Sequence, residues 1–345
     1  MRLIKRTIFF TLTFLSLIIF FHFFLILFAD SYRFFFDKKK FNPNILEVSR
    51  LNLYDSIDWS KEFFSEYSSL EQNYKSFVGW RTKEFKGNQI NIDKEGNRLT
   101  INKENNQEVK NLFFGGSVAW GYGNNDMNTI ASHYSSISNE KSKNLGERSW
   151  VLDQDLVYLI QQYNKSKIFS RVFFIQGVND IYIKCLSNDL YAHGQDDKIR
   201  NQIEKKIIDP ASFENFFSVY KKYLFILKQR MNSILNSKNE PVLTINYCKN
   251  KDYAKQVAKN IIDNFRNAKK FTELNNDSFY GILQPIHFYS KFEQTHLKNS
   301  SVWLDKESFM YIYNLIANSE KDFDYFIDFK DIFMENSDII FTDTS

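Results

Sequence analysis

From residue 109 onward the sequence predicts an α/β fold, with a mostly parallel sheet covered by helices on both faces. Short apolar runs alternate there with longer amphipathic stretches, as they do when strands buried on both faces are joined by crossover helices. The composition agrees. Of 345 residues, 43% are hydrophobic and 25% charged, an ordinary globular balance with enough apolar material for a sizeable core.

Taken in order, the chain opens on "MRLIKR" and then an uncharged run, "TIFFTLTFLSLIIFFHFFLILFA", residues 7–29. At ~1.5 Å per residue this run reaches roughly 34 Å, enough for a ~30 Å hydrocarbon layer. It is long for the core of a signal peptide and "LFAD" offers no small-x-small site, so the expectation is an uncleaved, single-helix membrane anchor. Arg2, Lys5 and Arg6 precede it and Arg33, Lys38, Lys39 and Lys40 follow, a near tie in positive charge. Because a long domain translocates despite its charge, the N-terminus is read as cytoplasmic and the domain as facing the periplasm or cell exterior. His22, inside the run, is read as tolerated within a helix.

Residues 30–56 are polar and irregular, with "KKKFNPN" at their centre. Residues 57–73 carry apolar side chains at helical spacing, and "FVGWRTKEF" with "NQINIDKEGNRLT" reads as strand, turn, strand, Glu95-Gly96 supplying the turn. The organisation predicted is 1–29, stub and anchor; 30–108, tether with a helix and strand extension; and 109–345, the α/β domain. Within that domain "KNLFFGG", "SRVFFIQG", "PVLTINY" and "FYGILQP" read as strands. The segments 153–163, 216–235, 252–274 and 307–320 read as helices.

Formal charge is +4, with Lys and Arg spread among acids, which argues against a nucleic-acid partner. Cys185 and Cys248 lie outside any CxxC or Cys/His spacing, so no metal site is predicted. They are either a pair formed in an oxidising compartment or two buried thiols.

In open α/β sheets ligands bind at the carboxyl ends of the strands. Three such positions stand out. After the first strand come Gly115, Gly116 and Ser117, with Gly121 beyond; the glycines allow a sharp turn and close approach, and the serine is presented at the start of the next helix. The spacing is neither GxGxxG nor GxxxxGK[ST], so a nucleotide cradle is not indicated. Gly146, in "NLGERSW", lies in a loop between the first two strands, where its amide is a candidate oxyanion donor. "FFIQGVND" ends the next strand with Gly177, Asn179 and Asp180. An asparagine there can aim its N–H at a tetrahedral oxyanion, or serve as an Asx turn.

In this order, GGSxxxG at 115–121, a loop glycine at 146 and GxND at 177–180 resemble three blocks of the SGNH/GDSL hydrolase family, over roughly residues 109–345. "FVGWR" and "INIDKEGNRLT" look like the segment preceding the serine block in membrane-anchored, envelope- or polysaccharide-associated bacterial members. The resemblance implies a three-layer αβα domain with a flavodoxin-like sheet. It implies Ser117 as nucleophile and an oxyanion hole of the Ser117 amide, the Gly146 amide and the Asn179 side chain. Gly115, Gly116, Gly177 and Asp180 support these. It further implies an acyl or acetyl ester on an envelope glycan or lipid as substrate, with no metal or organic cofactor and no oligomeric state specified. GGS in place of GDS keeps the nucleophile.

The family's last block is DxxH. "FTDTS" supplies Asp343, Thr344 and Ser345, so Asp343 is the candidate orienting acid and the histidine is expected as the next residue of a longer reading frame. Of the other histidines, His133 reads as helix surface and His193 as a solvated loop. His287 follows a strand end and is the best substitute base, while His296 has no motif around it. The alternative is a catalytically inactive, SGNH-like protein that binds or assembles envelope glycans.

Overall fold

The computed structural model describes parts of residues 2–24, residue 48, and residues 51–102, 108–165, 169–195, 245–292, 305–338 and 341. The chain divides into two compact units, 1–47 and 48–345. In the first, residues 6–14, 16–17, 20–21 and 24 are helical. Among the described residues no helix is long and apolar enough to cross a membrane, so the single span expected over 7–29 is not borne out. His22 lies outside the described residues.

In the second unit a 3-10 turn (Asn52–Tyr54) precedes α1 (Ser60–Ser69) and two antiparallel pairs. These are β1 (Gln72–Lys75) with β2 (Gly79–Thr82), and β3 (Phe85–Lys86) with β4 (Asn91–Ile92). Gly96, at φ +88°, lies in a turn as expected, between Ile92 of β4 and Arg98, which form an isolated bridge. Then follow β5 (Asn111–Gly115), α2 (Ser117–Trp120), α3 (Ile130–Ser138), β6 (Ser142–Asn144), α4 (Leu152–Lys165), β7 (Arg171–Gln176) and α5 (Val178–Ser187). The remainder is α6 (Lys251–Glu273), β8 (Ser278–Leu283), α7 (Lys306–Glu320) and β9 (Phe326–Asp328).

Strands β5 to β9 form one five-stranded parallel sheet in the order β6-β5-β7-β8-β9. This is the doubly wound 2-1-3-4-5 order, whose switch point lies between the first and third strands, here β5 and β7. Alternate residues of β5 face opposite layers. Leu112 and Phe114 join Val172, Phe174, Ile261, Phe265 and Ile312 in the larger core, under α4, α6 and α7. Phe113 faces the other way, with Phe173, Ile175, Ala119 and Ala131, under α2 and α3. There Phe113 stacks on Phe173 at 4.6 Å and Phe173 on Tyr280 at 5.0 Å, so the register lines one face with rings.

The extension is built into this sheet. Ile92 bridges Arg98, and Arg98 bridges Asn144 of β6, both antiparallel. Two strands are additional to the predicted set: β6, Ser-Lys-Asn, and β9, each three residues long at a sheet edge. Gly146 thus follows a strand end, where an uninterrupted loop was expected. The predicted helix 216–235 and residues 241–244 of the predicted strand lie outside the described residues. Cys185, in α5, and Cys248, in a short 3-10 turn before α6, are joined in a disulfide, which decides between the two readings of these cysteines.

Candidate active site

Chain geometry at the carboxyl end of β5 explains both glycines. Gly115 has φ +144°, and a Cβ there would lie 2.2 Å from the Ile175 carbonyl oxygen and 2.8 Å from Ala119 Cβ. A Cβ on Gly116 would lie 2.3 Å from Asn179 Nδ2. Ser117, half-buried, opens the four-residue α2, which ends at Gly121 in the left-handed conformation, φ +93°. Asn179 therefore reaches Gly116, one residue from Ser117, across the switch point between β5 and β7.

Asn179 Nδ2 donates to the Trp150 carbonyl at 2.9 Å. The same carbonyl accepts from Gln176 Nε2 at 3.0 Å, and Gln176 Nε2 also donates to Asp155 Oδ2 at 2.7 Å. An amide nitrogen carries two hydrogens, and Asn179 Nδ2 lies beside the Gly116–Ser117 turn. Asp155 is fully buried beneath this turn. Burial pushes its carboxyl well above the usual range, against the hydrogen bond from Gln176.

Gly146 sits against α2, where a Cβ would lie 2.7 Å from the Trp120 amide nitrogen. Its own N–H donates to Asn144 Oδ1 at 3.0 Å. Asn144 Nδ2 donates to the Ala119 and Trp120 carbonyls at 2.9 and 3.3 Å. The buried Asn144 carboxamide thus ties the glycine loop to the serine helix, and the Gly146 amide, expected as an oxyanion donor, is engaged by Asn144. The next amide, Glu147 N–H, donates to the Gly115 carbonyl at 2.9 Å.

Two arginines of the extension hold these loops. Arg81 of β2 donates to the carbonyls of Leu145 (2.9 Å), Gly146 (3.2 Å) and Gly96 (2.8 Å), its guanidinium lying between the rings of Trp150 and Tyr158. Arg98 donates to the carbonyls of Trp120 (3.1 Å), Gly121 (2.7 Å) and Asn124 (2.5 Å), closing the end of α2. Its Nε pairs with Asp126 at 3.0 Å, and its guanidinium lies 4.2 Å from the Trp120 ring centre. Burial lowers the Arg98 pKa to about 10, opposed by Asp126, so the guanidinium stays charged at neutral pH. Neither arginine was singled out from sequence; the only signal was the two quoted segments that contain them.

Asp180 is buried and accepts from the Leu152 amide at the start of α4, at 3.2 Å to each oxygen. Lys184 Nζ bonds Asp180 at 2.8 Å, Asp153 at 2.7 Å and Asn260 at 2.5 Å. Burial raises the Asp180 carboxyl, and Lys184 opposes the shift. Its role is to anchor α4 to α5. Gly177, at φ +135°, lies where a Cβ would meet Leu283 Cδ1 at 2.8 Å.

His133 is exposed on α3. His193 packs against Trp80 at 5.3 Å and accepts from Gln195 N–H at 3.4 Å. His287 opens a 3-10 turn past β8 and packs against Phe288 at 4.1 Å and Phe341 at 6.1 Å. Asp343 and His296 lie outside the described residues. Phe341, two residues before Asp343, is buried and shares the wall of a cavity with Val118, the residue after Ser117. Compared with protein families and with curated proteins, the sequence has no match. A functional reading therefore rests on this geometry: a serine at a switch point, with a side-chain amide beside it.

Proposed function

We propose that this protein is a serine ester hydrolase or acyl-transfer enzyme of the SGNH type, membrane-anchored and acting on an ester of an envelope glycan or lipid. The observation that carries this is the convergence on α2: Asn179 Nδ2 against Gly116, and Gly146 against Trp120, on either side of the turn that presents Ser117. In the reaction Ser117 Oγ bonds to the ester carbonyl carbon, and its proton passes to a general base, with Asp343 the candidate acid to orient it. The Asn179 side-chain amide and the Ser117 backbone amide stabilise the oxyanion. The alcohol leaves with the proton, and water or a sugar hydroxyl then takes the acyl group. Burial of Phe341 beside His287 and Val118 supports a DxxH segment on this edge. No metal or organic cofactor is required by this scheme.

The disulfide favours an oxidising compartment, in keeping with a domain outside the cytoplasm. The uncharged run 7–29 supports the anchor, as do Phe9 and Phe10, 67% and 69% exposed on their helix. The test is turnover of nitrophenyl esters by the protein, beside Ser117→Ala. Loss of turnover in the variant is expected. Tight envelope-glycan binding with no Ser117-dependent turnover would instead match an inactive glycan-binding protein.

A further inference from the structure

A cavity of about 320 Å³ begins one residue from the nucleophile, at Val118. Leu53, Ile57 and Trp59 of the extension form one wall, and Pro285 and Phe333, from beyond β8 and β9, form another. Asn124 and Asn128 are among the polar lining residues, and among the described residues no charged side chain lines it. A second, larger cavity of about 600 Å³ is lined in part by charged side chains of both signs, Glu84 and Asp93 with Lys86 and Lys94. Neither cavity is lined by Ser117, Gly146 or Asn179 themselves; the smaller one reaches the neighbouring Val118.

Resting on the esterase reading, we infer that the 320 Å³ cavity receives the acyl chain of the ester, a medium-length chain of about ten carbons, not acetyl. An uncharged, mostly apolar wall gives a sugar or a phosphate little to bond, whereas it matches a hydrocarbon chain. The length follows from volume: a dry cavity of ~150 Å³ holds the six carbons of benzene, so about twice that holds roughly twelve at most, which leaves room for a chain of about ten. The assignment also gives the extension a task, since residues 53–59 close the side of the cavity and set how long a chain fits.

The test is calorimetric titration of the full-length protein with acetate, butyrate, octanoate and decanoate, together with fluorophosphonate labelling. Affinity should rise about fourfold per methylene, near the value for a fully buried CH₂, and level off near decanoate. Ile57→Trp, which fills the cavity, should move the plateau to shorter chains. Phe333→Ala, which widens it, should move the plateau to longer ones and covers the case in which the first variant fails to fold. Decanoate binding no tighter than acetate, or a plateau that neither variant moves, overturns the inference, and persistent labelling of Ser117 then leaves the esterase reading standing. Chain-length-dependent binding without any Ser117 adduct overturns the esterase reading, and the acyl-ester assignment with it.

Discussion

Replacing Arg98 by Met removes the clamp on the serine helix, and the size of the effect follows from its contacts. Arg98 is 1% exposed and makes three bonds to backbone carbonyls plus an ion pair with Asp126, itself 5% exposed. Breaking one side of such a buried pair costs about 3–5 kcal/mol, because the remaining charge is left without compensation. In urea, with m near 3 kcal/mol/M, the midpoint should fall by roughly 1–1.7 M. The loss should also depend on pH. Burial already raises the Asp126 carboxyl and Arg98 opposes that, so removing Arg98 raises it further. A carboxyl whose folded pKa exceeds its unfolded one loses stability as pH rises from the unfolded value through the folded value. The variant should therefore be less impaired near pH 5 than near pH 8, and adding Asp126→Asn should restore part of the loss. A loss under ~1 kcal/mol, or the same loss at both pH values, would refute this reasoning.

Four further outcomes follow from the same geometry. Asn179→Ala should lower kcat by ~10²–10³ with little change in KM and melting temperature, as measured by ester turnover and calorimetry. Gly116→Ala places a Cβ 2.3 Å from Asn179 Nδ2, so it should lose comparable activity, and the double variant should be little worse than either. Asp155→Asn should flatten the pH dependence of stability: the wild-type carboxyl, raised by burial, loses stability as pH climbs from about 4 through its folded pKa. Denaturant titrations across that range check it. Reducing the disulfide, which joins residues 63 apart, should cost about 4 kcal/mol in a chain-entropy account, read as a shift in urea midpoint.

Much of the sheet was legible because β5, β7 and β8 are buried on both faces and so read as apolar runs flanked by glycine or proline. The edge strands were not. β6 is Ser-Lys-Asn, held by pairing with Phe113 and its neighbours and carrying no hydrophobic signal, and β9 is only three residues long. That Asn179 would lie near the Gly116–Ser117 turn was legible because the two strand ends that carry them meet at the switch point. The engagement of Gly146 by Asn144, and of distant carbonyls by Arg81 and Arg98, was not. Such bonds depend on which loops meet in space, and arginine in a short polar strand gives no sign that it will be buried.

The central claim is that Ser117 is a nucleophile set against oxyanion donors. Its most direct measurement is mass-spectrometric mapping of a fluorophosphonate adduct on the protein. The account predicts one covalent adduct on the peptide carrying Gly115-Gly116-Ser117, slowed in Asn179→Ala and absent in Ser117→Ala. Folded protein with no adduct at Ser117, or an adduct formed equally well in Ser117→Ala, would contradict it.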